Sequence, residues 1–337
     1  MTRAATPRVL DVHHHFLPRS VFDRLKAHAG GAPRLVTDQI SLTLSQDLPD
    51  VDAHLRAMAE GGVDATILTY SGVSTLGAEV CTLLNDGLAE VQRAAPGVLF
   101  GAAHAYLRDE RAPRELERAV RDLGLVAVAL PTSEGEMGLD DPSLEPIWEA
   151  IEALDRPVIL HPTLRPRGAT TDYGLERACA RPFDTTIAAA RLAYGVLPRH
   201  PRLTVVLPHV GGTSVFLRGR LAMFFQPDAP GGLRVWQGMA KTVRERRAFD
   251  PGLDTRFEQV WSRFYLDTAG TGGWSPAVEM GVRVAGPERM LFGSDYPLES
   301  HSGATVAELV DMVCSLPVEP AAREAILGGN ARDLFGL

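Results

Sequence analysis

The sequence predicts an α/β fold, a (β/α)8 TIM barrel with insertions over its C-terminal mouth, on three observations. Eight short apolar runs alternate with longer amphipathic ones along the 337 residues. The short runs are nearly continuous in Val, Ile, Leu and Phe, as suits parallel strands buried on both faces. No Gly-x-Gly-x-x-Gly follows the first run, which weakens a dinucleotide-binding sheet. With no linker, low-complexity tract or short repeat, residues 1–337 are expected to form a single barrel domain.

The expected strands are Val9–His13, Ala65–Tyr70, Val98–His104, Val126–Leu130, Pro157–His161, Leu203–Pro208, Phe264–Thr268 and Met290–Gly293. The expected helices are Val51–Glu60, Gly77–Ala94, Pro113–Leu123, Leu144–Leu154, Asp184–Leu197, Ser275–Val282 and Thr305–Cys314, with Glu319–Leu334 closing the chain. Asp50 and Asp184 serve as helix start signals, because a carboxylate at an N-cap accepts from unpaired backbone N–H groups. Two stretches exceed the alternation, about 16–50 and about 216–263, the second with Pro227-Asp-Ala-Pro-Gly-Gly. Both read as insertions over the mouth, since long loops in compact domains tend to carry function.

Composition excludes several classes. With 34 Lys+Arg against 42 Asp+Glu the net charge is −8, opposite to what nucleic-acid binding needs. No apolar run has the ~18 residues of a membrane span, and the start lacks an apolar signal core, so a cytoplasmic protein is expected. Cys81, Cys179 and Cys314 form no Cys-x-x-Cys and are expected to be free, buried thiols.

The chemistry sits at strand ends. The first run reads Leu10-Asp-Val-His13-His14-His15-Phe, and residues two apart on a strand project to one side. His13 and His15 can therefore share one ion while His14 points away. His161 ends the fifth strand, His209 the sixth and Asp295 the eighth. Polar side chains leaving apolar strands face the C-terminal rim, where barrel enzymes keep their catalytic groups. His13, His15, His161 and Asp295 thus form a candidate set of ligands for one divalent metal, zinc first and manganese second. His209 is the candidate general acid/base, with a fifth metal ligand as its alternative role, and Asp295 can share the proton work. Gly211-Gly212 is read as allowing close approach of substrate to backbone.

Other residues carry less. Lys26 and Lys241, the only lysines, lie in insertions, and Val126–Pro131 holds neither Lys nor Glu, which favours a single metal over a lysine-bridged pair. His54 and His200 read as surface residues, His28 and His301 as possible substrate contacts, and His104 as a supporting or substrate group. The charged stretch Arg165, Arg167, Asp172, Glu176, Arg177, Arg181 has no assigned role.

Together these motifs resemble the amidohydrolase superfamily, in the branch that holds the 2-amino-3-carboxymuconate-6-semialdehyde and 6-methylsalicylate decarboxylases. The resemblance spans Leu10 to Pro18, Pro182 to Ile187, His209-Val-Gly-Gly, Phe292 to Pro297 and Gly329 to Leu337. It implies His13, His15, His161 and Asp295 as metal ligands and His209 as catalytic histidine. It also implies a homodimer in which Arg220 reaches the neighbouring site to hold a carboxylate of a small anionic substrate. The expected activity is a metal-dependent, non-oxidative decarboxylase of a small carboxylated aromatic or enolic acid. Hydrolysis of a lactone or related ring is the alternative, needing the same metal and base.

Overall fold

The computed structural model describes residues 9–36, 41–163, 172–225 and 256–337. Eight strands lie in sequential order: β1 (Leu10–His15), β2 (Ala65–Thr69), β3 (Leu99–Ala103), β4 (Ala127–Pro131), β5 (Val158–His161), β6 (Val205–Leu207), β7 (Phe264–Asp267) and β8 (Met290–Leu291). Each pairs in parallel with the next. Helices follow them in turn: Val51–Gly61, Ala78–Ala94, Ala112–Glu117, Glu145–Leu154, Arg181–Arg191, Ser214–Phe225, Ser275–Ala285 and Gly303–Cys314. This is the expected (β/α)8 barrel, nearly closed.

The closing seam between β8 and β1 is irregular. Beyond Leu291 the chain runs on as single contacts: Val12 N–H to Phe292 O at 2.9 Å, Asp295 N–H to His13 O at 2.8 Å and His15 N–H to Tyr296 O at 2.7 Å. On its other edge β1 bulges between Asp11 and His14, where its register against β2 slips. Asp11 staples the seam. Its Oδ1 accepts from the backbone of His13 and of Ser294, both at 3.0 Å. Barrel irregularities of this kind re-aim side chains near active sites.

Leu10, Val12, Ile67, Ile159, Val206 and Leu291 fill the barrel interior, together with Ala331 and Phe335 from the terminal helix Asn330–Phe335. That helix plugs the end where the strands begin. A second core joins the strands to the surrounding helices.

One of the two helix start signals held. Asp50 caps Val51–Gly61, accepting from Ala53 N–H at 3.1 Å. Asp184, in contrast, does not open its helix, which begins at Arg181. The Asp184 carboxylate is buried and accepts from the Thr132 hydroxyl instead. The first insertion contains a helix, Arg19–His28, and the hairpin Arg34–Val36/Ser41–Thr43. The second was placed too early, because 216 falls within the helix Ser214–Phe225; residues 226–255, including Pro227–Gly232 and Lys241, lie outside the described residues. So do Arg165 and Arg167. The three cysteines are unpaired, but only Cys81 is buried. No helix among the described residues is long and apolar enough to cross a membrane.

Candidate metal centre

Three strand ends bring His13, His15, His161 and Asp295 together, all buried, with their potential ligand atoms within 4.8 Å of one another. His13 and His15 come from β1. His161 ends β5. Asp295 comes from the irregular extension of β8, where its φ of 56° lies in the left-handed region uncommon for a residue with a Cβ. Its carbonyl accepts from the N–H groups of Leu298 and Glu299, both at 2.9 Å, which holds the turn.

The donor atoms have no other occupation. His13 Nε2, His15 Nε2 and Asp295 Oδ1 are buried without a hydrogen-bond partner. His15 Nε2 lies 2.8 Å from Asp295 Oδ1 but out of hydrogen-bond alignment, so both point at a shared space. Buried polar atoms are nearly always satisfied, so orphans gathered in one place fit a bound cation. The remaining nitrogens set the tautomers. His13 Nδ1 donates to Asp267 Oδ2 at 2.7 Å, and His161 Nδ1 donates to Pro162 O at 2.9 Å, leaving each Nε2 for the shared space. Burial lowers the His13 imidazole, but Asp267 and Asp295 outweigh it and hold it up at about 9. Burial pushes His15 and His161 down. Burial also works against the Asp295 carboxylate, yet His15 and His209 hold it well below the usual range.

His209 Nε2 lies 3.6 Å from Asp295 Oδ2 and also lacks a hydrogen-bond partner. Its ring stacks on His13 at 5.1 Å between centroids. Its backbone is left-handed, with φ 56° and ψ 52°, and its N–H donates to Asp267 Oδ1 at 2.8 Å. Gly270 makes room for the ring, since a Cβ there would stand 2.5 Å from it. Gly212 does not serve substrate as expected. Its Cβ position is taken by the Pro182 carbonyl, so it lets two chain segments approach instead.

Asp267 was not singled out in the sequence. Its two oxygens hold His13 and His209 at once, and it ends β7 under the same strand-end rule that found the ligands. His14 does point away. Its Nδ1 meets Asp11 Oδ2 at 3.0 Å and its Nε2 meets His54 Nδ1 at 2.7 Å. His54 and His200 are therefore not surface residues. Both are buried, and His200 sits 3.2 Å from both Glu145 and Glu152. His104 is fully buried, its Nδ1 donating to Ala102 O and its Nε2 accepting from the Tyr70 N–H, so its role is to anchor Tyr70.

A cavity of about 350 Å³ opens beside the donors, lined in part by His15, Tyr70, His161, Arg181, Asp295 and His301. The first insertion contributes Leu42, Thr43, Ser45 and Asp47 to its wall. His28 is exposed and does not line this cavity. Arg220 is also exposed, with its guanidinium 5.9 Å from the Phe224 ring, and it does not line the cavity of its own chain.

An eight-stranded barrel whose strand ends converge on three imidazoles and a carboxylate belongs to the class of barrels built to hold a metal at the mouth. The family model described as "Amidohydrolase" (Amidohydro_2) matches residues 10–337, and the chain belongs to that family. It is 24% identical to a 2-amino-3-carboxymuconate-6-semialdehyde decarboxylase of Dictyostelium discoideum, over 97% of this chain and 91% of the relative. It is 28% identical to a gamma-resorcylate decarboxylase of Polaromonas sp., over 85% of this chain and 87% of the relative. The crystal structure of 5-carboxyvanillate decarboxylase from Sphingomonas paucimobilis superimposes with a TM-score of 0.80 at 26% identity, covering 98% of this chain and 100% of that one.

Proposed function

We propose that this protein is a metal-dependent, non-oxidative decarboxylase of a small carboxylated aromatic or enolic acid. The observation that carries the reading is the group of buried, unpartnered donor atoms of His13, His15 and Asp295 with the unpartnered His209 Nε2 beside them. Relatives over most of the chain's length are decarboxylases by name, which supports the same reaction class.

His13, His15, His161 and Asp295 would hold one divalent metal, zinc in the first place and manganese in the second, for which three imidazoles and a carboxylate are a fitting set. Such an ion supplies positive charge that draws substrate oxygens and offsets the developing negative charge. His209 supplies the proton. As the bond to the carboxylate breaks, its electron pair stays on the substrate carbon, a proton from Nε2 completes a C–H bond there, and CO2 leaves. Asp295 Oδ2 stands 3.6 Å from that nitrogen. Asp267 fixes the His209 backbone and the His13 ring.

Four donors from strands of one sheet support a single barrel domain over 1–337. Unpaired cysteines suit the reducing cytoplasm. The outward position of Arg220 supports a homodimer in which it serves the neighbour's site. Sedimentation should then give a dimer, and Arg220→Ala should raise KM.

The test is product mass. Turnover should release CO2, and His209→Ala should slow it by about 10²–10⁴-fold while the metal stays bound. A product heavier by one water would replace this reading with ring hydrolysis.

A further inference from the structure

Behind β1, facing away from the metal donors, runs a buried line of polar groups that the chemistry above does not use. Asp11 Oδ2 meets His14 Nδ1 at 3.0 Å, His14 Nε2 meets His54 Nδ1 at 2.7 Å, and His54 Nε2 meets the Leu48 carbonyl at 3.3 Å. Asp11, His14 and His54 are all buried. The rings of Phe16 and Tyr296 close around His54, with centroids 5.2 and 5.3 Å from its own.

A carbonyl only accepts, which gives the line a direction at its far end. His54 Nε2 carries the hydrogen and donates to Leu48 O. Burial, with His14 beside it, holds the His54 imidazole down at about 3, so the ring is neutral and Nδ1 is left to accept from His14 Nε2–H. His14, fixed in turn by Asp11, thereby sets both the tautomer and the plane of His54.

Leu48 belongs to the first insertion. Ser45 and Asp47, just before it, line the mouth cavity. Leu48 N–H reaches Ser45 O at 3.4 Å and Asp50 N–H reaches Asp47 O at 2.9 Å, so whatever fixes the Leu48 carbonyl also fixes this turn. The same carbonyl accepts from Leu17 N–H at 3.0 Å, so the insertion stays attached to the chain after β1 when the His54 bond is lost. His54 itself does not line the cavity and can act on it only through the wall.

We propose that His54 is a positioning residue for the reaction: held by His14, it fixes the Leu48 carbonyl and with it the place of the Ser45–Asp47 wall relative to the metal strand. Its effect on turnover rests on the decarboxylase reading, whereas its hold on the wall does not.

Hydrogen exchange of the full-length, zinc-loaded protein, read by mass spectrometry, tests that hold directly. His54→Phe fills the aromatic box with neither hydrogen bond, His54→Asn reaches His14 but not Leu48, and His54→Gln returns an amide donor near the place of Nε2. His54→Phe and His54→Asn should speed exchange in residues 44–50 by about 10-fold or more, the scale of one lost buried hydrogen bond, while Leu298 and Glu299, which also line the cavity, keep their rates. His54→Gln should stay near wild type. With an acid that releases CO2, His54→Phe and His54→Asn should raise KM about 10-fold, with kcat and metal content within about 2-fold. If His54→Phe does not fold, His54→Asn against His54→Gln carries the comparison. Unchanged exchange in 44–50, faster exchange spread evenly over the barrel, or a His54→Gln as loose as His54→Asn would overturn the proposal. A localised loosening in a protein that releases no CO2 from any acid would leave the hold on the wall standing and sink the decarboxylase reading alone.

Discussion

The two ends of this barrel are built from the same eight strands and behave as opposites. Where the strands begin, Phe335 and Ala331 close over Leu10, Ile67 and Leu291, and the contacts are apolar. Where the strands end, histidines and carboxylates are buried with ring nitrogens and oxygens left unpartnered. A protein keeps such atoms only where something else satisfies them, so stability belongs to the first end and chemistry to the second.

That contrast can be broken from either side. At the mouth, Asp295→Ala removes a ligand and the neighbour of His209 together. Metal content should collapse and CO2 release should fall by about 10³-fold or more, with thermal unfolding little changed. At the opposite end, Phe335→Ala should cost about 3–5 kcal/mol in denaturant unfolding while the folded fraction keeps its turnover. If instead Phe335→Ala abolished metal binding without loss of stability, the separation of the two ends would fail.

Two milder substitutions probe the mouth alone. Asp267→Asn keeps the shape but weakens the hold on His13 and His209; metal affinity or turnover should drop about 10–100-fold. The smallest effect concerns His104, whose neutral ring burial pushes down to about 4 from 6.5. The unfolded chain then binds a proton that the folded ring refuses, so stability is lost as pH falls from about 6.5 toward 4. His104→Gln should remove that part of the slope and leave stability at neutral pH nearly unaltered, as read by urea unfolding across the range.

Much of this was legible in the sequence for a physical reason. Parallel strands buried on both faces read as unbroken apolar runs, so all eight were found, and the strand-end rule then located His13, His15, His161, His209 and Asp295. Asp267 obeyed the same rule and was passed over because a carboxylate after an apolar run looks like any solvated strand end. His54 and His200 misled because a histidine at a helical position reads as surface, whereas their burial depends on His14 and on Glu145 and Glu152, distant in sequence. Tyr70 gave no signal and Arg181 only its place in a charged stretch, since an unpartnered donor is a property of three-dimensional surroundings and not of any spacing.

Every role assigned to the mouth depends on a bound metal. Elemental analysis of the purified protein by mass spectrometry tests it most directly. One divalent transition metal per chain, lost in His161→Ala, is the predicted result. A folded wild type that retains no metal and takes up neither zinc nor manganese on titration would contradict it.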